Sequence, residues 1–135
     1  MPSPTQLEGK RQEDHAEALL LREGYRIVTR NWRGARGEID VVARDRGVLV
    51  FVEVRSRRSV SYGRPAATVG RAKQRLVARA ALAYLARFPR ASSGGVRFDV
   101  IEVVVDRQGC PIDLVLVKNA FDARELHRGP GAPMF

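Results

Sequence analysis

Four charged residues on two neighbouring stretches have the types and spacing to do phosphoryl chemistry. Glu38 and Asp40 stand two apart in Gly37-Glu-Ile-Asp40, and Glu53 and Arg55 stand two apart after the apolar run Val48-Leu-Val-Phe-Val52. In an extended chain that spacing puts both side chains on one face. If the stretches pair as a hairpin, Asp40 and Glu53 meet at the same end of a sheet. Close carboxylates repel, and one pKa rises unless a divalent cation neutralises them. Oxygen ligands of this kind select Mg²⁺ or Mn²⁺, which keep several waters and take a substrate phosphate as a further ligand. Such an ion polarises a phosphoryl oxygen and lowers the pKa of a bound water. Arg55, on the face of Glu53, is placed to offset charge developing on the phosphate. The plainer alternative is a hairpin-end pair making salt bridges with Arg55 or Arg57.

The elements that must position these groups are legible in the pattern. A helix is expected from about Leu7 to Glu23, with Ala16, Leu19 and Leu20 on one face and Gly24 as its left-handed stop. Glu13 and Glu17, four apart, share a side of that helix. Tyr25 to Trp32 alternates as a strand, with Trp32 expected in the core, and Arg33-Gly-Ala-Arg-Gly37 is a basic turn into the hairpin. Asp45-Arg-Gly47 supplies the tight turn between the hairpin strands. Ser56 to Pro65 reads as a loop, and Thr68 is the expected N-cap of a long helix ending at Phe88 before Pro89. The core stripe of that helix is expected at Ala72, Leu76, Val77, Ala80, Ala83, Tyr84 and Phe88. Val96–Val105 and Ile112–Lys118 complete the strands, joined by a turn at Asp106 to Gly109. The order α-β-β-β-α-β-β describes an α/β domain with a mixed sheet, its antiparallel hairpins flanking one long crossover. Residues 1–6 are expected to be a flexible arm, 7–122 a single domain and 123–135 a flexible tail.

Composition narrows the partners. The 135 residues carry 24 Lys+Arg against 15 Asp+Glu, a formal net charge of +9. That sign favours a polyanion, nucleic acid first and an anionic membrane surface second. Most of the bases are arginine, which suits bidentate phosphate contacts. With Cys110 as the one cysteine and His15 and His127 apart, intrachain disulfides and Cys-rich zinc sites are excluded. No apolar run reaches spanning length, and a soluble cytoplasmic protein without membrane partners is expected.

Several short pieces together carry a resemblance. Ala18-Leu-Leu20…Gly24-Tyr-Arg-Ile27, Arg30-Asn-Trp32, Gly37-Glu-Ile-Asp40, Phe51-Val-Glu-Val-Arg55 and Arg97-Phe-Asp-Val100, in this order, closely resemble the bacterial YraN family. That family is related in sequence to archaeal Holliday-junction resolvases and the PD-(D/E)xK restriction-endonuclease-like superfamily. The resemblance implies a restriction-endonuclease-like mixed sheet flanked by helices. It implies Asp40 and Glu53 as ligands of Mg²⁺ or Mn²⁺, with Glu13 completing the site from the first helix. Glu38 is expected to support the site rather than to ligate, and Gln74 to lie near it. Ile39 stands in place of the motif's proline and Arg55 in place of its lysine. Arginine stays protonated, so it can clamp a phosphate but cannot act as a general base.

Two function classes follow, with an assembly factor acting through protein contacts as a third. One is a metal-dependent endonuclease hydrolysing phosphodiesters in structured DNA, with Asp40, Glu53, Arg55 and Glu13 as the catalytic set. The other is a nucleic-acid-binding protein that kept the scaffold and lost turnover. Either uses a basic surface on Arg57, Arg58, Tyr62, Arg64, Arg71, Lys73 and Arg75, with Tyr62 free to stack on a base. DNA is favoured over RNA as the partner, and because resolvases act as two-fold dimers the resemblance also admits a homodimer. Asp99, interrupting an apolar strand, is expected to pair with an arginine rather than to react.

Overall fold

A computed structural model describes residues 4–59 and 69–122. Their order is α1 (Pro4–Arg22), β1 (Arg26–Gly34), β2 (Gly37–Asp45), β3 (Val48–Arg58), α2 (Arg71–Arg87), β4 (Val96–Val105) and β5 (Pro111–Val117), with a short 3₁₀ turn at Pro89–Ser92. This is the expected α-β-β-β-α-β-β chain. Helix α1 starts at Pro4, inside the stretch read as an arm, because proline at a first turn forfeits no hydrogen bond. Thr68 and residues 123–135 lie outside the described residues, and the cap of α2 is Gly70.

The sheet runs β1-β2-β3-β4-β5 in space. Strands β3 and β4 pair in parallel, joined through α2, and every other pairing is antiparallel. Leu49 to Glu53 of β3 are all buried, as a central strand covered on both faces requires. Val50 and Val52 turn towards α1, meeting Ala16, Leu19 and Leu20. Leu49 and Phe51 turn the other way, towards Val77, Ala81 and Tyr84 of α2. Each large side chain so covered contributes about 1.5–3 kcal/mol.

The buried face of α2 differs from the expected stripe. Val77, Ala78, Ala80, Ala81 and Tyr84 are buried, whereas Ala72 is exposed and Leu76 and Phe88 are each 41% exposed. Alanines at 78 and 81 let the helix sit close on β2 and β3, which turns Leu76 off the sheet. Phe88 caps the helix with φ −128, so helical periodicity no longer governs where it points. Trp32 is partly buried, edge-on to Tyr84 with ring centroids 5.3 Å apart. Among the described residues no helix is long and apolar enough to cross a membrane.

Candidate active site

The β2–β3 ladder stops at Val41–Val52, so the next pair in register would be Asp40 and Glu53. There the strands part. Asp40 Oδ2 accepts the Val54 N–H at 2.8 Å, so a side chain takes the donor that a further rung would have used. On the other side, Asn31 lies between the pairs Arg30–Val41 and Trp32–Ile39 and adopts φ 54. The face of β2 switches across this point: Ile39 packs towards α2 and Val41 towards α1. Asp40 sits at the switch, reachable from both layers.

Glu53 follows Phe51 on the α2 face and is only 8% exposed. Its Oε1 lies 3.4 Å from Lys73 Nζ, on the first turn of α2, where the ammonium is half-exposed. Burial pushes the Glu53 carboxyl up to about 7, with the Asp40 charge adding to the rise and Lys73 opposing it. Burial likewise raises Asp40 to about 6; the Val54 N–H and Lys73 hold it down, while Glu13 and Glu38 push it up. The nearness of Asp40 favours the protonated form of Glu53, so the two carboxyls titrate as a pair. Among the described residues, one half-exposed ammonium does not balance two sheltered acids, and by these residues the site is under-neutralised.

Glu13 reaches this site by its field rather than by contact. Its Oε2 accepts Asn31 Nδ2 at 3.2 Å and sits 3.4 Å from Arg30. Arg30 also holds Asp14 at 2.8 Å and Glu17 at 3.1 Å. One arginine on β1 thus ties three acids of α1 to the sheet and sets where Glu13 stands. Sequence reasoning passed over Arg30, although acids at 13, 14 and 17 on one helix side signal a cationic partner. Among the described residues, no three His, Cys, Asp or Glu side chains converge closely enough to hold a metal. Asp40 and Glu53 come together as a pair, and Glu13 is held back by its own partners.

Arg55 lies on the Glu53 face and, with Glu53, Ser56, Val69, Gly70 and Lys73, lines an open cleft of about 400 Å³. A larger neighbouring cleft, about 600 Å³, is lined by Arg33, Gly34, Arg36, Gly37, Glu38, Lys73 and Leu76. Lys73 belongs to both. The β1–β2 turn was legible as basic, but its place beside the carboxylates was not.

The expected basic surface divides. Arg58, Arg71, Lys73 and Arg75 are exposed, and Tyr62 and Arg64 lie outside the described residues. Arg57 departs from the expectation: its Nε is 2.7 Å from Glu102 Oε2, with the two side chains 9% and 0% exposed. The N–H does not point along this contact, so it is an ion pair without an aligned hydrogen bond. A fully buried glutamate requires a cation, and strand alternation turns Arg57 to the same face. Gln74 donates to the Val69 carbonyl at 2.6 Å, which anchors the entry to α2.

The other face of the sheet, towards α1, holds a second polar cluster. Asp99, fully buried, accepts from Tyr25 Oη at 2.7 Å, Arg97 Nε at 2.8 Å and the Asn119 N–H at 2.9 Å. Arg97 also bonds Asp45 at 2.8 Å. The expected arginine partner of Asp99 is therefore Arg97.

A model of the uncharacterised protein family UPF0102 matches residues 12–103. The chain is 46% identical over 115 residues to a UPF0102 protein of Desulfosudis oleivorans, covering 85% of this chain and 89% of that one. It is 47% identical to the UPF0102 protein of Symbiobacterium thermophilum over 115 residues, covering 85% and 96%. The UPF0102 protein of Syntrophus aciditrophicus is 46% identical over 114 residues, covering 84% and 87%. The resemblance to the YraN group and these matches coincide, and the chain belongs to the UPF0102 family.

Proposed function

We propose that this protein is a Mg²⁺-dependent endonuclease that hydrolyses phosphodiester bonds in structured DNA. One observation carries the reading. Asp40 and Glu53 are held side by side in a sheltered place, under-neutralised by the described residues, and Glu53 opens onto a cleft bearing Arg55 and Lys73. Such an arrangement is costly for folding and useful for chemistry.

Mg²⁺ takes one or two carboxylates, several waters and a substrate phosphate, so a sheltered pair suits it without a third acid. Asp40 and Glu53 would hold the ion, which when bound polarises a phosphoryl oxygen and acidifies a water. The Val54 N–H fixes one Asp40 oxygen and leaves the other free to ligate. Lys73 steadies Glu53 at 3.4 Å. Arg55 clamps the phosphate through its planar fork, offsetting the charge that grows on the phosphoryl oxygens as the water–phosphorus bond forms and the bond to the leaving sugar oxygen breaks. Glu13 and Glu38 add negative field at Asp40, raising its appetite for a cation.

The second reading, a binder without turnover, rests on Arg55. It stands where the resemblance expects lysine and cannot accept a proton at neutral pH. Incubating the protein with labelled junction, flap, duplex and single-stranded DNA, and with the matching RNAs, in Mg²⁺ or Mn²⁺ separates the two. Cleavage that vanishes with EDTA and in Asp40→Asn is the expected result. Salt-dependent binding that ignores EDTA, with every substrate left intact, would sink the nuclease and keep the binder.

A further inference from the structure

We propose that the β1–β2 hairpin forms a second phosphate subsite, holding the nucleic-acid backbone next to the phosphate that faces Asp40 and Glu53. The proposal rests on the nucleic-acid reading above and goes beyond it in assigning Arg33 and Arg36 to the flanking phosphate.

The hairpin is seated on α2 by fit. A Cβ at Gly37 would come 2.7 Å from the Leu76 carbonyl oxygen and 3.1 Å from Ala80 Cβ. At Gly34 it would meet the Trp32 ring at 2.5 Å and Ala83 Cβ at 3.2 Å. Glycine is needed at these shoulders, and the two turn positions go to Ala35 (φ 51) and Arg36 (φ 63), both left-handed. Two-residue hairpin turns of this shape ordinarily take Asn-Gly. An arginine here is locally unfavourable, and its stem buries no core.

What the seating creates is the cleft of about 600 Å³ between hairpin and helix. Arg33, with 80% of its side chain exposed, and Arg36 stand on one wall and Lys73 on the other. Lys73 also lines the cleft of Glu53 and Arg55, so the two spaces adjoin at this residue. Glu38 is 4.0 Å from Arg33, an exposed ion pair of the kind worth little in water, so a phosphate can replace it. Around both clefts stand the cations Arg33, Arg36, Arg55 and Lys73 against the acids Glu38 and Glu53. A polyanion lying in one cleft is thereby drawn across the other. A mononucleotide would leave the hairpin arginines unused, so the assigned ligand class is an oligonucleotide backbone.

The test is binding of fluorescein-labelled DNA and RNA oligonucleotides in EDTA, read by anisotropy over a range of salt. Arg33→Gln with Arg36→Gly removes both charges and relaxes the turn, so folding is protected. Arg46→Gly with Arg90→Gln is the control, because Arg46 (φ 52) occupies the same kind of turn at the far end of the sheet and the net charge change is equal. The slope of log K against log salt is expected to fall in magnitude by about 1.4 on single strands and about 1.8 on duplex in the hairpin variant, and to stay unchanged in the control. The change should be equal for DNA and RNA, which share the phosphates. An unaltered slope in the hairpin variant, an equal loss in the control, or a change confined to one nucleic acid would each overturn the subsite while leaving native binding intact. No binding by the native chain would overturn both this assignment and the nucleic-acid reading.

Discussion

On the α2 side of β3, Glu53 shares a sheltered place with Asp40 and, among the described residues, meets one half-exposed lysine. On the α1 side, Asp45 and Asp99 are met by Arg97, Tyr25 and the Asn119 N–H at 2.7–2.9 Å. The titration of the acids reports the difference. The Arg97 hydrogen bond holds Asp45 below the usual carboxylate range. Burial drives Asp40 to about 6 and Glu53 to about 7. Desolvation leads at Asp40 and Glu53, whereas at Asp45 the Arg97 hydrogen bond outweighs it. The satisfied cluster stabilises the fold, and the unsatisfied pair keeps its charge demand for a ligand.

The contrast breaks hardest at Asp99. Asp99→Ala strands Arg97 and Tyr25 in a buried setting and should cost about 3–5 kcal/mol in urea denaturation. A loss below about 1 kcal/mol would mean that the cluster is not the structural one. Asp40→Asn should instead cost no stability and lower cleavage by at least about 100-fold, about 2.7 kcal/mol of barrier. Cleavage that survives this substitution would move the chemistry elsewhere.

The pH dependence sharpens the comparison further. Asp40 and Glu53 have folded pKa values of about 6 and 7, above their ordinary values of 3.8 and 4.5. The folded state therefore holds extra protons, and the stability that they contribute is present in full below about pH 4 and lost as pH rises to about 7. Asp45, held low, behaves oppositely: its contribution is present above the ordinary aspartate value and fades only on further acidification. Glu53→Gln should accordingly gain about 1–2 kcal/mol at pH 8 and almost nothing at pH 4, read by thermal melts at both. Equal effects at both values would remove the repulsion from the account. The smallest change expected is in Tyr25→Phe, which deletes the hydroxyl linking Asp99 and Arg97 and should cost about 1 kcal/mol at any pH between 5 and 8.

Much of this was already local. Val96–Val105 emerges as a strand with the bounds that its β-branched run suggested, Gly24 ends α1 with φ 87, and Asp45-Arg46-Gly47 turns the hairpin with Arg46 at φ 52 and Gly47 at φ 87. Alternation with a period of two also put Glu53 and Arg55 on one face and Asp40 at the matching strand end. These features depend on neighbours within a few residues, so periodicity and turn chemistry carry them.

The tertiary structure decided the partners. Arginines look alike in a sequence, yet Arg97 closes a buried network, Arg57 meets Glu102, Arg30 gathers the acids of α1, and Arg33 and Arg36 border a cleft. Lys73 comes to Glu53 across 20 residues of chain because the crossover lays the first turn of α2 beside the middle of β3. Which cation meets which acid depends on strand register and on the path of that crossover. Both arise from packing the two apolar faces of one sheet, a long-range requirement that no local pattern encodes.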